Sequence, residues 1–120
     1  MMEKLLFIQT GFGVDVHGQN VTKAAVRAVR NAIFTNSMPG IEDLLPEKNL
    51  NNMIVNVKLA LPVDAALLDH DAIKEIIPYG TVTIETMSGG MMTTSGIFLA
   101  DKEDKNDLMY MVNASVETGY

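Results

Sequence analysis

An aspartate and a histidine two residues apart in a glycine-rich stretch are the side chains of this sequence best placed to do chemistry. They lie in Gly11-Phe12-Gly13-Val14-Asp15-Val16-His17-Gly18. A carboxylate and an imidazole can act as base, acid or metal ligand. The glycines imply that the backbone turns sharply or comes close to something. A helix starting just beyond could aim its first amides at an anion. Asp15 and His17 are therefore candidate catalytic residues, and Gly11, Gly13 and Gly18 candidate ligand-binding positions. The competing account is a tight strand-to-helix turn in which both side chains bond the loop backbone. The segment is not a dinucleotide fingerprint, because no third glycine falls where that motif needs it. It is not a P-loop, since no Gly-Lys-Ser/Thr follows. Asp15 and His17 supply only two ligands, short of a closed metal site, so no metal is assigned and the cofactor is left open.

The elements that must position these residues can be read from periodicity. Leu5 to Thr10 is a short apolar run ended by glycine, which predicts a buried strand. Asn20 to Asn36 predicts a helix. Asn20 is its N-cap, Val26, Val29 and Ile33 fall at helical spacing, and Pro39-Gly40 stops it. Lys23, Arg27 and Arg30 share its opposite face; Arg27 and Arg30 could line an anion site or a subunit contact, against the simpler reading of a solvated face. Ile41 to Asn52 is polar and reads as a loop or short turn. Met53 to Leu61 alternates, with Met53, Val55, Val57, Leu59 and Leu61 on one side. Asp69 to Ile77 predicts a short helix. Asp69-His70-Asp71 has metal-ligand residue types, but at a helix start such residues are caps. Thr81 to Met87 predicts a strand, Gly89-Gly90 a turn or bulge, and Ile97 to Ala100 a further strand. Asp101 to Asp107 reads as a charged turn, after which Leu108 to Glu117 alternates again.

The resulting order, β-α-β-α-β-β with room for one more hairpin, implies a single α+β domain over residues 1–120. Its mixed sheet would carry the helices on one face. Both alternating strands have a partly apolar second side. That predicts cover from another subunit, and a cyclic homo-oligomer would create clefts between copies. Hydrophobic residues make up 48% of the chain, an ordinary globular share. The net charge of −6 argues against a nucleic-acid surface. No apolar run approaches the ~20 residues of a membrane span. There is no cysteine, so neither a disulfide nor a thiolate site is available, which fits a cytoplasmic location. The nine methionines suit adaptable filling of a core or interface.

The glycine-rich stretch resembles the GxGxDxHG signature of a conserved hypothetical family found in bacteria and, with a longer N-terminus, in plants. The likeness continues through Thr22 to Ile33, Asn36 to Gly40, Val57-Lys58-Leu59 and the closing Gly119-Tyr120. It identifies a relative without supplying a mechanism. A second likeness joins the Ala-Val-Arg helix to the strand Val55-Asn56-Val57-Lys58-Leu59-Ala60-Leu61. These resemble one repeat of the ring-opening amidohydrolases (cyanuric acid hydrolase and barbiturase), which look like three fused copies of a domain related to the YjgF and chorismate mutase-like fold. That resemblance implies a homotrimer, with Lys58 and Ser88 as catalytic positions. A lysine with its pKa lowered by burial can deprotonate a serine hydroxyl. The structural alternative is a lysine paired with Glu85 or Glu117 at an edge or interface.

Three functions compete. One is a small hydrolase or lyase acting at subunit clefts through Asp15, His17, Lys58 and Ser88. Another is a metabolite-binding or regulatory module using the same cleft. The third is a purely structural or assembly protein. The first predicts that these side chains converge.

Overall fold

A computed structural model describes residues 2–120. Five strands and three helices follow in the order β1 (Leu5–Asp15), α1 (Val21–Phe34), α2 (Ile41–Leu44), β2 (Ile54–Leu61), α3 (His70–Lys74), β3 (Thr81–Ser88), β4 (Met91–Thr94) and β5 (Leu108–Gly119). Short 3-10 turns fill several connections. The chain is an α+β protein with a mixed sheet. Its strand order is β1-β5-β2-β3, with β4 also paired to β5. β2 and β3 run parallel, and the β1–β5, β2–β5 and β4–β5 pairs run antiparallel.

The long strand β5 organises the sheet. One edge pairs with β1 from Leu5↔Gly119 to Asp15↔Tyr110. Its other edge pairs with β2 as far as Ala60↔Asn113, and then with β4 from Met91↔Met111 onward. β4 thus continues the line of β2. The chain reaches that line through Gly89-Gly90. Gly90 has φ +65°, a conformation that side-chain-bearing residues resist, and a Cβ there would strike the Met111 carbonyl.

The alternation of β2 is as expected. Val55, Val57, Leu59 and Leu61 are buried, while Ile54, Asn56, Lys58 and Ala60 are only half-covered. In β5, Val112, Ala114, Val116 and Thr118 point inward. α1 starts at the expected cap, with the Asn20 side chain accepting from the Lys23 amide at 3.1 Å. It lays Ala24, Ala25, Ala28, Val29 and Ala32 against β1 and β5. α3 adds Ile73 on the same side, with Asp69 accepting from the amides of Asp71 and Ala72. Helix cover is thus confined to one face of the sheet.

Two expectations are corrected. The first strand does not stop at Thr10; it runs through Gly11 and Gly13 to Asp15. The glycines are there because α1 lies close. A Cβ on Gly11 would sit 2.5 Å from the Ala32 nitrogen and 2.8 Å from the Ala28 carbonyl oxygen. One on Gly13 would meet the Ala24 carbonyl and the Ala28 amide. Glycines on the strand opposite Ala24, Ala28 and Ala32 on the helix bring the two backbones together. The glycine signal was therefore one of close packing, and the turn begins only at Val16. The second correction concerns Ile97 to Ala100, which is irregular chain leading into a 3-10 turn; the hairpin strand lies earlier, at β4. Met91 and Met92 look weakly strand-like beside two glycines, and their pairing to β5 supplies what propensity did not.

Candidate functional site

The chain leaves β1 at Asp15 and enters α1 at Val21, so residues 16–20 must reverse direction in one short loop. Gly18 (φ +102°) and Gln19 (φ +49°) supply the positive backbone angles that make this possible. Asp15 is 3% exposed. It accepts from the Asn20 amide at 2.8 Å and lies 3.4 Å from the Arg27 guanidinium. The same guanidinium donates to the Val14 carbonyl at 2.6 Å. The anion at the head of α1 is thus the protein's own Asp15, stabilised by the amide and by Arg27. Arg30 and Lys23 are exposed on the same helix, and neither joins this arrangement.

His17 meets a residue from the far end of the chain. Its Nδ1 lies 2.7 Å from Asp104 Oδ2. Asp104 sits between β4 and β5, and its side chain is fully buried. Each of its oxygens has two donors. Oδ1 accepts from the Gly18 amide at 2.6 Å and Gln19 Nε2 at 3.0 Å. Oδ2 accepts from the Leu99 amide at 2.9 Å and faces His17. Burial opposes ionisation of this carboxyl. The bonds from Leu99, Gly18, His17 and Gln19 outweigh it and hold the pKa down at about 2. Gln19 ties the same two segments again, donating to the Leu108 carbonyl at 2.6 Å and accepting from the Lys105 amide at 2.8 Å. A hollow of about 440 Å³ adjoins the loop, bordered by Gly18, Gln19, Asn20, Leu67, Lys105 and Tyr110.

Asp104 and Gln19 were not singled out in the sequence. Asp104 stands in Lys102-Glu103-Asp104-Lys105, which reads as a solvated charged turn. Its burial follows only from folding that turn against residues some 87 positions earlier. Gln19, next to Gly18, carries no signal that its side chain would bridge two segments.

Lys58 lies elsewhere, on the face of the sheet opposite the helices. Its Nζ is 3.4 Å from Glu117 and 4.0 Å from Glu85. Asn56 donates to Glu117 at 3.0 Å and accepts from the Thr83 hydroxyl at 3.0 Å. Those are the carboxylate partners anticipated for a structural lysine. Ser88 pairs in register with inward-facing Leu61, so it belongs to the helix side. Within one chain, Lys58 and Ser88 are on opposite faces of the sheet, and neither meets the Asp15–His17 loop. Gly11 and Gly13 face α1; Gly18 alone of the three glycines lies in the loop. Among the described residues no group of three or more His, Cys, Asp or Glu is placed to hold a metal ion, and no helix is long and apolar enough to cross a membrane.

Fold and site define a class: an α+β domain with helices over one face of a mixed sheet, and a histidine-bearing loop pinned by a remote buried aspartate. The chain belongs to the Lin0512 family of conserved hypothetical proteins, whose model matches residues 5–118. It is similar to a solved FtsZ-like protein of unknown function from Nostoc punctiforme. The two share 36% sequence identity, with a TM-score of 0.87 over 98% of this chain and 96% of that one. No curated protein matches.

Proposed function

We propose that the protein is a small-molecule-binding module whose polar site is the His17–Asn20 loop, with His17 as the group that meets the ligand. One observation carries this reading: His17 Nδ1 faces a buried carboxylate at 2.7 Å while the ring stays partly open to solvent, with 24% of the side chain exposed. A carboxylate behind Nδ1 fixes the orientation of the ring. In the neutral ring it also fixes the tautomer, leaving the lone pair on Nε2 for a ligand N–H or O–H. A hydrolase or lyase would use that nitrogen as a general base, whereas a binding module uses it as an acceptor. Among the described residues no serine, threonine or lysine bonds His17, which favours binding over nucleophilic chemistry.

The test is a thermal-shift screen of organic acids, purines, pterins and cyclic amides against the wild type and His17→Gln. One class should raise the melting temperature of the wild type; at a hundred times Kd the stabilisation is about 2.7 kcal/mol. His17→Gln should lose that shift. An equal shift in the variant, or no shift from any compound, overturns the proposal.

A second reading rests on the open sheet face. Phe12 is 60% exposed there, with Ile8, Met87 and Met91 also uncovered. A second copy, in a homotrimer or another cyclic assembly, would cover these side chains. Light scattering on the purified protein tests it: a monomer at working concentration refutes it.

A further inference from the structure

A second cavity lies on the helix side, remote from the His17 loop, and its make-up points to a particular kind of ligand. It measures about 360 Å³ and opens between the end of α1, the start of β2 and the segment after α3. Most of its wall is apolar, with Ile33, Met38, Met53, Ile76 and Pro78 among the residues, and the polar Asn36 and Ser37 line it just beyond α1. The floor is the inner face of the sheet, where β1 and β5 supply Gln9, Val116 and Thr118. No residue that lines it carries a charge.

The floor holds two polar side chains where the core would ordinarily be apolar. Gln9 is 6% exposed and Thr118 2%. Neither the Gln9 carboxamide nor the Thr118 hydroxyl has a hydrogen-bond partner among the described residues, and no polar side-chain atom that is wholly sealed from solvent lacks one. Their unpaired atoms therefore open onto the cavity. Gln9 pairs with Val116, so Thr118 is its diagonal neighbour on β5. Such neighbours stand roughly 7–8 Å apart, close enough for one small group to reach both. Polar side chains on the inner face of a sheet are ordinarily bonded within the protein, so a pair that faces a pocket instead is a feature to explain.

We propose that this cavity binds a small, uncharged, largely apolar molecule through a carboxamide group. A carboxamide matches Gln9 edge to edge, its N–H donating to the Gln9 carbonyl and its C=O accepting from the Gln9 amide. The second N–H is left for the Thr118 hydroxyl. A carboxylate cannot donate to Gln9, and it would enter an apolar site with no cation to meet it. The volume lies near the lower end for ligand pockets. An apolar cavity of ~150 Å³ accommodates benzene, so one ring bearing an amide fits comfortably. Phe34, 68% exposed, also lines the pocket and can pack over the apolar part.

Benzamide is the probe, with acetophenone and benzoate as isosteric controls, each titrated into the full chain and followed by amide NMR shifts. Benzamide should move the signals of cavity-lining residues such as Ile33, Val55 and Ile77. Acetophenone, which only accepts, should bind at least tenfold more weakly, and benzoate not measurably. Gln9→Met, close in size, should weaken benzamide at least tenfold and acetophenone by a smaller factor, because acetophenone loses one bond to Gln9 where benzamide loses two. Thr118→Val provides a second variant with the same expected direction, should Gln9→Met fail to fold. His17→Gln should bind benzamide as the wild type does, which separates this site from the loop. The proposal is overturned if benzamide leaves these signals unmoved at millimolar concentration, so that the floor holds water only. It is equally overturned if both floor variants bind benzamide like the wild type, or if benzoate binds as well as benzamide.

Discussion

The two faces of the single sheet were built from the same alternating strands, yet only one is covered. β1 shows the contrast in adjacent residues. Gly13 points at α1 and is buried, and its neighbour Phe12 points away with 60% of its surface exposed. On the covered side, glycine and alanine bring backbone against backbone, and β2 and β5 add the larger aliphatic side chains. On the open side, a polar group around Lys58, Asn56, Glu85 and Glu117 gives way to the row Phe12, Asn113, Ala60 and Met87, apolar except at Asn113, with Met91 beyond it. Period-two alternation tells which residues share a face. The size of the side chains tells how near the next layer can come.

The contrast is broken most severely at Gly13. Gly13→Val places side-chain carbon where the Ala24 carbonyl and the Ala28 amide already sit, so the helix itself must move. We expect a loss of about 3 kcal/mol or more in urea unfolding, at the upper end for overpacking because the obstacle is backbone. Phe12→Val, one residue away, should change stability by no more than about 0.5 kcal/mol. Equal midpoints for the two variants would refute the close helix approach.

Asp104→Asn probes the loop on the covered side and should be the next most damaging. The folded-state pKa of Asp104, about 2, lies below its ordinary 3.8, so folding favours the ionised form. Its contribution is therefore full above pH 4 and disappears as pH falls from about 4 to about 2. Urea midpoints at pH 7, 4, 3 and 2 should show the wild type above the variant at pH 7, with the gap closing across that window. A gap that is constant with pH would show that ionisation of Asp104 is not what supports the loop.

The open face should respond differently. If the open face joins copies as proposed, Phe12→Ser combined with Met91→Ser should leave the urea midpoint nearly unchanged, within about 1 kcal/mol, while lowering the mass measured by light scattering to that of a monomer. An unchanged oligomeric mass would show that copies meet elsewhere. Lys58→Met should likewise cost little, at most about 0.5 kcal/mol, because its ion pairs are partly solvated. A larger loss would indicate that Lys58 is covered in the working assembly.

Much of the fold was legible in order and spacing. The Asn20 cap, the helix through Ile33, and the alternation of Met53 to Leu61 and Leu108 to Glu117 are local patterns that survive folding. The hydrophobic period and the cap act within a few residues of themselves. The extension of β1 through Gly11 and Gly13 was not legible, because a glycine that turns the chain and one that admits a helix look alike in one sequence. β4 was misplaced for a related reason: Ile97 to Leu99 has the better strand composition, but Met91 to Thr94 lies where β5 has a free edge.

The candidate site divides in the same way. The Gly11–Gly18 stretch was conspicuous by composition, and it does contain the loop that presents Asp15 and His17. The sequence determined those residues, the sharp turn at Gly18 and the helix that follows, because these depend on short-range sterics and capping; the positive φ of Gln19 carried no such signal. Only the tertiary structure decided that Asp15 braces the helix start with Arg27, that His17 is held by Asp104, and that Lys58 and Ser88 are separated by the thickness of the sheet. Each of those outcomes depends on which strands become neighbours and which way each side chain points across them. Strand pairing settles that over long stretches of chain, and no local spacing encodes it.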